Sequence, residues 1–284
     1  MMKRCIHFLL LSGVAVFASC GGSSDEAVRH RPVTIKGSDT MVILVQTWGE
    51  NYMKENPERT IQVTGGGSGV GIAALINGGT DICEASRPMK STEKEKVRGR
   101  HGKEVKEIPV ALDGLAIFVH ESNPIASLTT AQIRSIYTGR ITNWRDLGGK
   151  DGRIVTYGRD NSSGTYQFFK EHVLAKEDFA REVQTLPGTG AIANAVSKDA
   201  ASIGYGGIAY SSGIRVVPVR RDEKSEPVKP TLATVKSGEY ALSRNLYFYT
   251  IGEPAGDVKA FIDWVLGPEG QKLCEKVGYY PINK

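Results

Sequence analysis

Three times this chain runs a short apolar strand into a glycine- and hydroxyl-rich loop and then into a segment with helical spacing. The loops are "GSDTM" (37–41), "GGGSGVG" (65–71) and "RDNSSGT" (159–165). Strands that alternate with helices in this way bury both faces of a largely parallel sheet, so the pattern argues an α/β fold. The flanking segments agree. "PVTIKG" reads as a strand, and "SDTMVILVQTWGENYMKENP" places Val42, Val45, Trp48 and Tyr52 on one helix face that stops at Pro57. "TIQVTGGGSG" and "VGIAALINGG" repeat the plan, and "DICEAS" is a further short apolar run. "STEKEKVRGR" reads as a charged helix with Ser91 as its N-cap. "IPVALDGLAIFVH" is an unbroken apolar run, the mark of a strand buried on both faces. "TTAQIRSIYTGR" and "TYQFFKEHVL" read as helices, "ASIGYGGIAY" and "RNLYFYT" as strands, and "VRRDEKSEPVKPT" as a surface loop. The last segment, "GDVKAFIDWVLGPEGQKLCEKVGYYPI", reads as one amphipathic closing helix.

The loops share a chemistry. The first N–H groups of a helix have no partner within it, and the helix dipole makes that end partly positive. Glycine lets backbone approach an anion closely, while serine and threonine add donors. Any one such loop is also explained as a simple N-cap. The third adds Arg159, whose guanidinium can fork onto two oxygens. Each charge-assisted hydrogen bond contributes about 1.5–3 kcal/mol. Micromolar affinity needs only about −8 kcal/mol net, so a few such bonds suffice.

The N-terminus stands apart from the fold. "MMKR", the apolar run "CIHFLLLSGVAVFA" and the closing "SC" make residues 1–19 a signal peptide, too short to remain as a membrane span. "FASC" resembles the bacterial lipoprotein box, which implies lipidation at Cys20 and a tether over 20–31; the alternative is an ordinary secretory signal with a chance cysteine. Lys3 and Arg4 leave with the signal, so the formal charge of +5 falls to about +3 with no long basic block. That balance disfavours nucleic acid as a partner. Beyond Cys20 only Cys83 and Cys274 remain, either joined or both free, and no CxxC or histidine cluster offers a metal site.

Enzyme motifs fit poorly. "GGGSGVG" lacks the Lys-Ser/Thr ending of a Walker loop, and "GGSGV" has Val70 where a nucleophile elbow needs glycine. "STEK" (91–94) matches S-x-x-K without its companion motifs. His30, His101, His120 and His172 neighbour no recognisable nucleophile motif. No enzyme activity and no cofactor are expected.

With these motifs in view the chain resembles the PstS family of phosphate-binding proteins, which capture substrate for phosphate ABC importers. The resemblance rests on "VTIKGSDTM", "DICEASRPM", "GRDNSSGTYQFF", "ASIGYGGIAY", "SGEYALSRNLYFYT" and "KAFIDWVLGPEGQKLCEKVGYYPI". It implies a periplasmic binding protein type II-like fold: two α/β lobes joined by two crossing strands, with a ligand cleft between them. Lobe 1 would comprise 32–115 plus 247–284, and lobe 2 would comprise 116–246. Ser38, Thr40 and the backbone of Met41 would bind phosphate from the first loop and Ser68 from the second. Arg159, Ser163, Gly164 and Thr165 would do so from the third. Asn161 falls where the family often has an acid that orients the arginine, which leaves Asp160 as the candidate for that task. The best-studied members place an aspartate after "AS" to accept the proton of HPO₄²⁻, but this chain has Arg87, and a guanidinium has no acceptor. Asp39 and Asp113 are then the candidate acceptors, or sulfate is rejected less well. Arg87 either contacts the ligand or pairs with one of those aspartates. The resemblance implies an exported, lipid-anchored monomer that delivers inorganic phosphate to permease subunits. The alternative is a receptor or sensor for another tetrahedral oxyanion, without transport.

Overall fold

A computed structural model describes residues 30–282 of the chain. The signal peptide, Cys20 and most of the tether lie outside the described residues. The elements of the first half run β1 (Val33–Gly37), α1 (Val42–Glu55), β2 (Ile61–Thr64), α2 (Ser68–Ile76), β3 (Ile82–Ala85), α3 (Ser91–His101) and β4 (Val105–Val119). The middle of the chain adds β5 (Leu128–Thr129), α4 (Thr130–Tyr137), β6 (Val155–Arg159), α5 (Gly164–His172), β7 (Gln184–Leu186), α6 (Gly188–Lys198) and β8 (Ser202–Gly207). After a 3₁₀ turn at Ile208–Tyr210 come β9 (Arg215–Val217), β10 (Val219–Arg220), α7 (Leu232–Lys236), β11 (Ser243–Ile251), α8 (Gly256–Leu266) and α9 (Pro268–Val277).

One sheet runs through the molecule in the order β2-β1-β3-β11-β4-β8-β6-β7, with β9 also on β4. β1 is parallel to β2 and β3, and β6 is parallel to β7 and β8, as the strand–loop–helix pattern requires. The centre is antiparallel. β4 pairs with β11 from Val105 to Gly114 and with β8 from Leu115 to Val119, so it belongs to both halves. Its burial changes at the same place. The first half is only partly buried and exposes Pro109, whereas Asp113 through Val119 are all buried. The register with β11 shifts between Leu246 and Tyr247, opposite Pro109, which cannot donate to the ladder.

The cores divide with the sheet. Trp48, Leu44, Val45, Ile35, Phe248, Phe261 and Cys274 pack in the first lobe. Tyr137, Phe169, Tyr205, Ile117, Ile133 and Leu174 pack in the second. On α1 the buried stripe is Leu44, Val45, Trp48 and Tyr52, with Val42 only partly buried. Cys83 and Cys274 are free, buried thiols in different clusters.

The structure differs from the sequence reading at two helix boundaries. Ser91 is the first residue of α3, and Lys90 holds the cap position, where Glu93 accepts from the Lys90 N–H at 2.8 Å. The closing segment is two helices that meet at Gly267. Pro268 has no N–H to continue α8, but its fixed φ suits the first turn of α9.

Candidate functional site

The carboxyl ends of β1, β2 and β6 bring the three loops to one place, where Ser38, Thr40, Met41, Ser68, Arg159, Ser163 and Thr165 are all buried. Thr40 Oγ1 lies 2.8 Å from Thr165 Oγ1, although the two residues are 125 positions apart. A Cβ on Gly164 would stand 2.3 Å from Ser68 Oγ and 2.7 Å from Ser86 Oγ, so only glycine allows this approach. The lobes touch directly, with Gly69 N donating to Ser162 O at 2.8 Å and Ser162 Oγ donating to Gly66 O at 3.2 Å.

Four helices begin here, two from each lobe. α1, α2 and α6 have no side-chain cap, and α5 is capped by Ser163, whose hydroxyl accepts from Tyr166 N. Met41 N closes a turn on Ser38 O at 2.8 Å, and Ser38 N donates to Glu84 O at 2.9 Å. Ser68 Oγ accepts from Ser86 N at 3.1 Å and lies 3.4 Å from Ser86 Oγ.

Arg159, 2% exposed, is the charged centre. Its Nη1 donates to Thr189 Oγ1 at 3.0 Å and its Nη2 to Asp39 Oδ2 at 2.6 Å. Its Nε is buried with no partner. Phe169 stacks on Tyr205 at 3.9 Å between ring centroids, and the Tyr205 hydroxyl accepts from Arg159 N at 3.4 Å. The arginine is thus braced by the core of the second lobe and keeps its Nε–H free.

The acids are arranged differently from the sequence reading. Asp39, not Asp160, orients Arg159, and its other oxygen accepts from Gly66 N at 2.8 Å. Asp160 turns back on its own loop, where it accepts from the Ser162 N–H at 2.8 Å and from the Ser162 hydroxyl. Asp113, fully buried, accepts from Arg244 Nε and Nη2 at 2.9 and 2.7 Å and from Ile208 N at 3.1 Å. Its charge is therefore paired with Arg244 at the junction of β4 and β11. Arg87 pairs with neither aspartate. It forks onto Glu93 with two bonds of 2.8 Å and donates to Pro88 O at 2.9 Å. The reason is local: Glu93 lies six residues on, at the start of α3, and offers a bidentate partner. Burial opposes ionisation of Glu93, yet the bonds from Arg87 and the Lys90 N–H hold its pKa below the ordinary carboxylate value.

Three buried residues at the site were not singled out from sequence: Ser86, Thr189 and Glu84. Ser86 follows "DICEA" directly. Thr189 lies in "PGTGA", a fourth glycine-hydroxyl loop that opens α6, a signal of the same kind as the other three. Glu84 looks like a member of an apolar strand in every respect but its charge.

A family model described as a PBP superfamily domain matches residues 22–269. The chain is 34% identical over 263 residues to the phosphate-binding protein PstS of Pseudomonas aeruginosa, covering 87% of this chain and 81% of that one. It is also 34% identical to PstS of Staphylococcus saprophyticus, over 93% of this chain and 84% of the relative. Among solved structures, a Clostridium perfringens protein described as a phosphate ABC transporter substrate-binding protein with bound phosphate superposes with a TM-score of 0.81. It shares 32% identity over 89% of this chain and 100% of that one. A phosphate transport receptor from Vibrio cholerae superposes with a TM-score of 0.69 at 27% identity, over 88% of this chain and 100% of that one. Fold and sequence together place this chain in the PstS family of the periplasmic-binding-protein superfamily.

Proposed function

We propose that this chain is the extracytoplasmic substrate-binding component of a phosphate ABC importer. One observation carries the proposal: four helix beginnings from two lobes meet around a buried arginine whose Nε has no partner. A tetrahedral oxyanion offers acceptors in all the directions from which these donors come. The ligand's oxygens would take donors from Ser38, Thr40 and Ser68 on one side, with the Met41 N–H shared between the ligand and Ser38 O. Arg159, Ser163, Gly164 and Thr165 would donate from the other. Ser86 and Thr189 complete the set. Arg87 and Asp113, bonded to Glu93 and Arg244, support the site from behind. PstS names in the relatives, and the bound phosphate of the Clostridium perfringens structure, favour phosphate over other oxyanions.

In this reading the lobes, 32–115 with 247–284 and 116–246, pivot about β4 and β11 and close when phosphate links them. Cys20 carries a lipid that holds the monomer at the outer face of the membrane beside its permease, and the protein binds its ligand without turning it over. Incubation with p-nitrophenyl phosphate then releases no product. Isothermal titration with phosphate, sulfate, molybdate and phosphonates tests the ligand. Phosphate is expected to bind at micromolar or better, and failure below about millimolar removes the reading. Arg159→Ala abolishes binding in the same assay. Lys176→Ala, at an exposed lysine beyond the end of α5, leaves it unchanged. Loss of phosphate uptake on deletion separates an importer from a sensor.

A further inference from the structure

Behind the first loop lies a carboxyl group with no assigned task. Glu84 is the next-to-last residue of β3; it is 0% exposed, and both of its carboxyl oxygens lack a hydrogen-bond partner. Alternation along the strand sends Cys83 and Ala85 to the cluster under α2, which leaves Glu84 on the side of Ile82 and α1. Gly37 makes room for it. A Cβ there would stand 2.0 Å from Glu84 O and 3.2 Å from Glu84 Cγ, and its φ of +151° already favours glycine. The titratable groups within electrostatic reach are Asp39 on the first loop, Tyr210 on the 3₁₀ turn, Tyr279 after α9 and Cys83 on its own strand. Both tyrosines already spend their protons elsewhere: Tyr210 donates to Asp39 O at 2.8 Å, and Tyr279 donates to Thr40 O. A buried carboxyl with empty lone pairs is costly and calls for an explanation. The Glu84 main-chain oxygen accepts from Ser38 N at 2.9 Å, which ties this residue to the first loop of the cradle. Burial, and then the like charge of Asp39, push the Glu84 pKa well up, which favours its neutral form in the folded protein.

Given the phosphate reading above, we infer that Glu84 meets the bound ligand as a neutral carboxylic acid, its O–H donating to an unprotonated oxygen and its carbonyl accepting from the ligand's P–OH. This supplies the acceptor that Arg87 cannot be, while Asp39 and Asp113 are each already paired with a guanidinium, Arg159 and Arg244. Sulfate has no O–H and leaves the carbonyl unpaired. Ionised Glu84 beside Asp39 repels the anion, so affinity falls as alkaline pH removes its proton.

Calorimetric titration of phosphate and sulfate into wild type, Glu84→Gln and Glu84→Leu, from about pH 6 to about pH 9, tests this. Glu84→Leu loses about tenfold or more in phosphate affinity and narrows the phosphate-to-sulfate ratio, because both hydrogen bonds are gone. Glu84→Gln keeps a donor and an acceptor but cannot titrate, so its affinity changes less with pH than that of wild type. A folded Glu84→Leu with the wild-type ratio overturns the inference alone. So does a Glu84→Gln whose pH profile matches wild type, and that profile decides the matter if the leucine variant does not fold. Wild type that binds no phosphate overturns this inference together with the function it rests on.

Discussion

Arg159 reaches Thr189 and Asp39 with its two terminal nitrogens and holds its Nε–H free. The sequence showed this arginine because it stands at the head of a hydroxyl-rich loop. It could not show the partner, because Asp39 is 120 residues away and the local Asp160 is an equally plausible choice on paper. The same holds for Arg87, where the fold selects Glu93 over two more distant acids. The pairing makes a testable distinction. Asp39→Ala lowers phosphate affinity by about tenfold, since it frees the arginine and unties Gly66 N, whereas Asp160→Ala costs less than about threefold; titration calorimetry reads both. Glu84 gives a stability signature that needs no ligand. Its folded pKa is raised above the ordinary value of 4.5, so the folded state holds a proton that the unfolded state releases. The contribution of Glu84 to stability is therefore full below about pH 4.5 and is lost as pH rises toward its folded pKa. Glu84→Gln lacks this loss, so in thermal melts without phosphate its advantage over wild type grows between pH 5 and pH 8; a difference that stays flat contradicts a neutral Glu84.

Among the elements, the strand–loop–helix units were legible because period and punctuation agree in each of them. The closing helix was misjudged as one because its apolar spacing runs on through Pro268, and only the backbone shows the break. β4 reads as uniformly apolar, but its two halves have different neighbours, and the change falls at Asp113–Leu115. Two polar groups are sealed there. Arg244 reaches from β11 to Asp113 on β4 and to Ser86 O at 3.2 Å, and its guanidinium lies 5.3 Å from the Phe168 ring of α5. One side chain thus touches both crossing strands, the loop after β3 and a helix of the opposite lobe. Arg244→Ala strands a fully buried Asp113 and is expected to cost about 3–5 kcal/mol in urea denaturation. A cost below about 1 kcal/mol contradicts that role for the pair.

Across the whole molecule, a single sheet carries two cores, and the site lies where loops from both halves meet. Neither lobe holds the arrangement alone: the first contributes α1, α2 and Asp39, and the second contributes α5, α6 and Arg159. The direct contacts Thr40–Thr165 and Gly69–Ser162 mark how closely the halves approach. The central claim is that these helix beginnings form one oxyanion site. A crystal structure of the protein with phosphate tests it most directly. The account predicts one phosphate with Arg159 Nε, Thr40, Ser68 and Thr165 all within hydrogen-bond distance; a phosphate that contacts one lobe only, or that lies away from these loops, would contradict it.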